Sequence, residues 1–370
     1  MANVLSPAEL AVPIQVNLFS DTQTRPTAAM KDAMMAAECG DEQLGLDPTV
    51  RRLCERAAAL LGKEAAVFLP SGTMCNAIGL LVHCRPGDEV LAHGSAHILT
   101  AEGGAAGALA GVQIGCVPGE GDQGGGQFTA EALRATLRPR TRYSPPQRLV
   151  SAEQTANLGG GTVWPQARLD EVADFAHAHG MATHMDGARL MNAVVAAGVP
   201  AARMAAGWDS VWLDFTKGLG APLGAVLAGS SAFVEDAWRW KQRLGGAMRQ
   251  AGLCAAACLF ALDHNVERLA EDHANARRLA DGLADVPGLR VTPPETNLVY
   301  IETDGLRVGG ASLSAADLAA RLRARGVLVS VMGEHRVRAC THLDVDHAGV
   351  MMAVDAIRSA VAAGGALAAE

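Results

Sequence analysis

The 370-residue sequence predicts an α/β protein, with a large domain on a mainly parallel sheet and a smaller C-terminal α/β domain. Three observations point there. Short apolar runs alternate with alanine- and leucine-rich stretches of helical length, the pattern left by strands joined through crossover helices. A composition that is 49% hydrophobic and 19% charged fills one large core with a companion beside it. The amphipathic segment "VERLAEDHANARRLADGLADV" (266–286) reads as a long surface helix and precedes a second set of strand and helix patterns, so a domain change is expected near residues 255–265.

Taken in order, "AAVFLP" (65–70) reads as a strand leading into the helix "TMCNAIGLLVHC" (73–84), and "DEVLAH" (88–93) as the next strand. "RLVSAE" (148–153) is a strand, "LDEVADFAHAHG" (169–180) a helix, and "MATHMD" (181–186) and "SVWLDF" (210–215) are strands again. "LCAAACLFAL" (253–262) falls short of the roughly 20 apolar residues a membrane span needs and is expected to be a buried helix. "LRVTPPETNLVYIET", "LAARLRARGVLVSV" and "HRVRACTHLDV" form the second unit. The expected domains are 1–258, an N-terminal arm with the large domain, and 259–370. "GEGDQGGGQFT" (119–129) and "RTRYSPPQ" (140–147) read as loops by their glycine and proline content.

A formal net charge of −8 argues against nucleic acid or anionic lipid as a partner and for small molecules. The 8 cysteines are scattered without a CxxC pair, and no basic start leads into an apolar run, so a reduced, cytoplasmic protein is expected.

Three strand ends carry candidate chemistry. In "FLPSGTMCN" a strand meets a helix through Ser71, Gly72 and Thr73, where free backbone N–H groups and the helix dipole suit a phosphate. Ser and Thr cap helices without any ligand, so that reading stays open beside it. In "ATHMDGARLMNA" a strand ends at Asp186, which either faces a ligand at the carboxyl edge of the sheet or caps the following helix. In "DFTKGLGAP" Lys217 lies between an apolar strand and a glycine-rich turn. A lysine held in such a place is a nucleophile rather than a solvated cation.

An anion seat, an acid and a lysine, each ending a strand, are what pyridoxal 5'-phosphate needs. The helix start takes the phosphate, Asp186 pairs with the ring nitrogen and Lys217 makes the covalent bond. His97, just beyond "DEVLAH", is placed to stack on the ring, although taken alone it reads better as a satisfied surface or core histidine.

With these motifs in view, the chain resembles the L-threonine aldolases, fold type I pyridoxal-phosphate enzymes of the β-eliminating lyase group. The resemblance runs through "SDTQTRPT" (20–27), "GDEQLGLDPTV", "GKEAAVFLPSGT", "HMDGARLMNA", "TKGLGAPLG", "GGAMRQAG" and "THLDV", nearly the whole chain and in the family's order. It implies Lys217 as covalent anchor, Asp186 on the ring nitrogen, His97 on the ring, and Ser71, Gly72, Thr73 and Thr216 on the phosphate side. It implies Arg249 reaching a neighbouring subunit's phosphate, and Ser20, Arg189 and Arg338 on the substrate carboxylate. The assembly it implies is a homotetramer with sites between paired subunits. The reaction it implies is cleavage of the Cα–Cβ bond of an L-β-hydroxy-α-amino acid to glycine and an aldehyde. Expulsion of a β-substituent, or cofactor binding without turnover, are the alternatives.

No metal is expected, and His342, Asp344 and His347 of "THLDVDH" read as structural. The chain departs from the family at Leu44, where a tyrosine is usual, in "EQTAN" (153–157) in place of "ENTHN", and at Tyr143, which stands at a loop histidine. A phenol, with a reference pKa of about 10, is a poor base. These changes imply a reshaped pocket for a bulkier or more polar side chain, with His97, a phosphate-bound water or an activated Tyr143 taking the proton.

Overall fold

The computed structural model describes residues 13–119, 125–308 and 311–362; residues 120–124 of the predicted glycine-rich loop lie outside them. The chain divides into two compact units. One is Arg25–Leu269; the other joins the stretch ending at Thr24 to the chain from Ala270 on.

The larger unit is built on seven strands: β1 (Ala65–Leu69), β2 (Glu89–His93), β3 (Gln113–Val117), β4 (Gln147–Glu153), β5 (Ala182–Asp186), β6 (Ser210–Asp214) and β7 (Ala225–Gly229), in the spatial order β1-β7-β6-β5-β4-β2-β3. β3, β2, β4, β5 and β6 pair in parallel, while β7 runs antiparallel between β6 and β1. β6 and β7 are buried along their whole length, which is why they read as unbroken apolar runs rather than as an alternating pattern.

Helices cover the sheet: α1 (Ala28–Met35), α2 (Pro48–Leu61), α3 (Gly72–His83), α4 (Gln166–Ala178), α5 (Leu190–Ala197), α6 (Ser231–Arg243) and α7 (Gly252–His264). α2 shows how the local sequence sets a boundary. Asp47 Oδ1 accepts from the Thr49 and Val50 N–H groups at 3.1 and 3.0 Å, Pro48 opens the helix, and Gly62 closes it in the left-handed region at φ 63°. α7 contains the apolar run expected to be a buried helix, and packs on α1 and α2.

That packing keeps α7 inside the larger unit. The division therefore falls after Leu269, where the sequence reading placed it at 258/259. The N-terminal arm also groups with the other unit, because Val16–Asn17 pairs in parallel with Val327–Leu328. Parallel pairing between segments some 300 residues apart leaves no local trace in a sequence.

The smaller unit holds an antiparallel sheet in the order Ser330–Gly333, Arg336–Cys340, Leu298–Glu302, Arg290–Val291. Helices Ala315–Arg323 and His347–Ala362 enclose a core with it that includes Leu279, Ile301, Leu318, Val337 and Ile357. The helix expected over 266–286 spans Leu269–Asp281. It stops where a side chain at Gly282 would come within 2.7 Å of Val354. Among the described residues no helix is long and apolar enough to cross a membrane.

Candidate active site

Parallel β4, β5 and β6 deliver their last residues to one edge of the sheet. Glu153 and Asp186 end adjacent strands as direct Cα partners, so two acids stand side by side. Both are buried, Asp186 with only 2% of its surface exposed. Burial first, and the Glu153 charge second, push the Asp186 carboxyl up to about 7. Glu153 is held by backbone donors, Oε2 accepting from His97 N at 2.9 Å and Oε1 from Asn157 N at 2.8 Å.

The hydrogen-bond network fixes how Asn76 is turned. The Trp212 indole can only donate, and it donates to Asn76 Oδ1 at 2.7 Å. Asn76 Nδ2 therefore faces the carboxylates, donating to Asp186 Oδ2 at 2.8 Å and to Glu102 Oε1 at 2.6 Å. His184 Nε2 donates to the same Asn76 Oδ1 at 3.1 Å, so its Nδ1 accepts from the Ser210 hydroxyl at 2.8 Å, which in turn accepts from His83 Nε2 at 2.7 Å. Burial drives His184 down to about 3 and His83 to about 4, which keeps both rings neutral in this chain of donors.

Glu102 accepts from His97 Nδ1 at 2.8 Å, and that bond is the main cause holding His97 above its ordinary value. His97, Glu102 and Asp186 offer ligand atoms within 4.8 Å of one another, a spacing open to a cation. Asn76 and the His97–Glu102 bond already bridge those atoms, which accounts for the cluster without one.

Beyond β6 the chain turns through Thr216 and Lys217. Asp214, which ends β6, accepts from Lys217 Nζ at 2.6 Å through Oδ2. Its Oδ1 accepts from Thr216 N and Oγ1 at 3.1 and 2.9 Å. The Lys217 amine also lies 5.6 Å from the centre of the Trp212 ring. Two glycines make room for that tryptophan: a Cβ on Gly72 would meet its Cη2 at 2.2 Å, and one on Gly187 its carbonyl oxygen at 1.8 Å.

The other expected residues are placed as follows. Ser71 caps α3, accepting from Met74 N at 3.3 Å, with Thr73 exposed in its first turn, so the cap and the open helix start coexist. Asp186 does not cap α5, whose N-cap is Arg189; its Oδ1 accepts from Ala188 N in the turn before that helix at 3.0 Å while Oδ2 meets Asn76. Arg189, 5% exposed, opens α5. Arg249 is exposed and pairs with Asp41 at 2.9 Å. Tyr143 is 82% exposed against Arg142 and Thr141, and Leu44 is 70% exposed. No described contact within this chain joins either of them, or Arg249, to the Lys217–Asp186 cluster.

In the smaller unit, Ser20 caps a short turn and Arg338, on an interior strand, donates to the neighbouring Phe19 carbonyl at 3.4 Å. His342 donates to the Asn17 carbonyl at 2.8 Å and accepts from Asp344 N at 3.3 Å, a structural use of both nitrogens.

Asn76, Glu102 and Asp214 were not singled out from sequence. An asparagine inside the apolar face of a helix was the available signal for the first, and an acid in the short apolar "ILTAEGG" for the second. Asp214 looked like the end of a strand and nothing more.

The residues present fit pyridoxal 5'-phosphate. A buried carboxyl lifted to about 7 suits a cationic ring N–H, the start of the 12-residue helix α3 offers N–H groups, and Lys217 presents its amine beside Trp212. Such a donor set on a sheet of this order defines a fold type I pyridoxal-phosphate enzyme. The profile of the Beta-eliminating lyase family matches residues 17–305, and the chain belongs to that family.

Among similar proteins, low-specificity L-threonine aldolase 1 of Arabidopsis thaliana is 39% identical over 351 residues, covering 94% of this chain and 96% of the plant protein. The low specificity L-threonine aldolase of Escherichia coli K12 is 40% identical, covering 89% of this chain and 94% of its own. A solved structure described as Leishmania major threonine aldolase superposes with a TM-score of 0.79 at 21% identity, over 94% of this chain and 99% of that one.

Proposed function

We propose that the protein cleaves the Cα–Cβ bond of an L-β-hydroxy-α-amino acid, of the threonine, allo-threonine or phenylserine kind, to glycine and an aldehyde. The observation that carries this is the placement of Asp186 at the end of β5 and of Lys217 in the turn that follows the neighbouring strand β6, in a chain about 40% identical to low-specificity L-threonine aldolases over most of its length. Pyridoxal phosphate, when bound, supplies an electron sink that weakens a bond at the substrate's Cα.

The chain's own residues do the rest. Lys217 supplies the amine that anchors the cofactor. Asp186, kept in place by Asn76 and Ala188 N, holds the proton at the ring nitrogen. Gly72, Thr73 and Thr216 are assigned to the phosphate, and Arg249 to a neighbouring subunit's phosphate. Ser20, Arg189 and Arg338 are assigned to the substrate carboxylate, whose grip sets which Cα bond is broken. His97 and Tyr143 are the candidates to take the β-hydroxyl proton, and the Glu102 bond makes His97 a base only toward higher pH. The assembly we propose is a homotetramer of paired subunits in the cytoplasm, on the strength of the resemblance; light scattering measures its mass.

Purified protein is expected to be yellow, with a band lost on borohydride treatment and in Lys217→Ala. Incubation with L-threonine, L-allo-threonine and phenylserine should release glycine. A keto acid without glycine would establish elimination instead, and a protein that takes up no cofactor would overturn the whole reading. Comparing kcat for Tyr143→Phe and His97→Asn across pH assigns the base.

A further inference from the structure

We propose that Asp214 is the dock for the Lys217 amine during turnover, a positioning residue that receives the lysine when a substrate amino group takes its place. The inference rests on Lys217 being the cofactor anchor.

Asp214 stands at the end of a fully buried strand, with 2% of its side chain exposed. A carboxylate there is costly unless paired, and its cation is the reacting lysine itself, 2.6 Å away. The other oxygen is spent on the same turn, on Thr216 N and Oγ1, so the whole carboxylate is devoted to the anchoring segment. On its remaining sides Asp214 meets no second cation among the described residues: its charge is felt by Cys75 of α3 and Cys258 of α7, buried thiols held well above their ordinary value mainly by burial. The Trp212 ring gives the amine an aromatic neighbour in the same position.

The exchange breaks the C–N bond to Lys217 and forms one to the substrate nitrogen. The substrate enters as an ammonium and the lysine leaves as one, gaining the protons that the substrate nitrogen loses, so atoms and charge balance without another reactant. An ammonium released into a place only one fifth exposed needs a partner, or it competes to return. Asp214 is that partner, and it stabilises the state in which substrate, not lysine, is attached. Its effect is therefore on amino-acid affinity rather than on retention of the cofactor.

The test is a spectral titration of loaded enzyme with glycine. In Asp214→Asn the glycine Kd should rise about tenfold to a hundredfold, the weight of one charge-assisted hydrogen bond. The cofactor Kd should move by less than about twofold on the same reasoning, since the amide still accepts from Thr216. Asp214→Glu, which restores the charge, should recover part of the loss. Asp214→Ser is measured alongside, so that poor loading of the amide variant does not decide the matter. An unchanged glycine Kd overturns the proposal, as does an equal loss of glycine and cofactor affinity, which would make Asp214 only a brace for the turn. A wild-type protein without a borohydride-sensitive, Lys217-dependent band overturns the anchor reading itself, a result distinct from either.

Discussion

Asn76 donates to Asp186 at 2.8 Å from inside a helix more than 100 residues away in sequence, and its orientation is set by an indole that can only donate. One amide thus holds the acid assigned to the cofactor nitrogen. Replacing it with alanine takes the donor from Asp186 Oδ2 and the acceptor from the Trp212 indole and His184 Nε2, while Glu102 keeps its bond to His97, and Asn76→Ala should lower unfolding free energy by about 2 kcal/mol or more. Thermal unfolding of the cofactor-free protein measures this, and cofactor affinity should fall with it.

Asp186 gives the cofactor-free protein a pH signature. Its folded value is raised above the unfolded one, so the stability linked to it is full below about pH 4. It is lost as pH rises through about 7. Asp186→Asn removes that loss, and its Tm advantage over the wild type should grow between those limits. A constant difference across pH would contradict the burial of the carboxylate.

His97 follows the same sign by a different cause. The bond to Glu102 raises its folded value, so its contribution is present below the unfolded value of about 6.5 and disappears as pH climbs through the folded one. Glu102→Gln should bring the His97 titration down toward ordinary imidazole, as followed by NMR of its ring protons. The pH at which activity rises should shift the same way.

Glu42 and Lys241 form a pair that is almost wholly buried, with Lys241 also 4.1 Å from the Trp238 ring centre. Glu42 Oε2 accepts from Met248 N at 2.9 Å, and Glu42 N donates to the Arg249 carbonyl at 2.9 Å, tying the Leu44 segment to the Arg249 segment. Lys241→Met strands a buried carboxylate and should cost about 3–5 kcal/mol. Adding Glu42→Gln, which keeps an acceptor for Met248, should recover more than half of that in denaturant unfolding.

Gly187→Ala should be the most damaging of the small substitutions near the site. The new methyl would lie 1.8 Å from a backbone oxygen of Trp212, which cannot move without distorting β6. Soluble yield and Tm report it directly.

Much of this site could be read along the chain because strand ends are local features. An apolar run followed at once by Asp186, or by Thr216 and Lys217, marks a carboxyl edge without knowledge of the rest of the sheet. What holds those residues could not be read so. Asn76 and Glu102 act through bonds to segments far from them in sequence, and only the ordering of β4, β5 and β6 brings these partners together. The unit boundary was misplaced for a related reason, since "LCAAACLFAL" shows that a helix is buried but not against which core.

The close seating of Trp212 against Gly72 and Gly187 has a consequence for anyone reshaping this enzyme. Positions 72 and 212 are effectively one design variable: a larger residue at Gly72 requires a smaller one at 212, and a smaller residue at 212 takes from the Asn76 carbonyl one of its two donors, whereas Gly187 faces the backbone of residue 212 and gains nothing from that exchange. A library that varies them singly would sample mainly broken proteins, whereas one that varies the two jointly, with Asn76 as a third member and Gly187 held fixed, would explore new shapes for the cofactor seat.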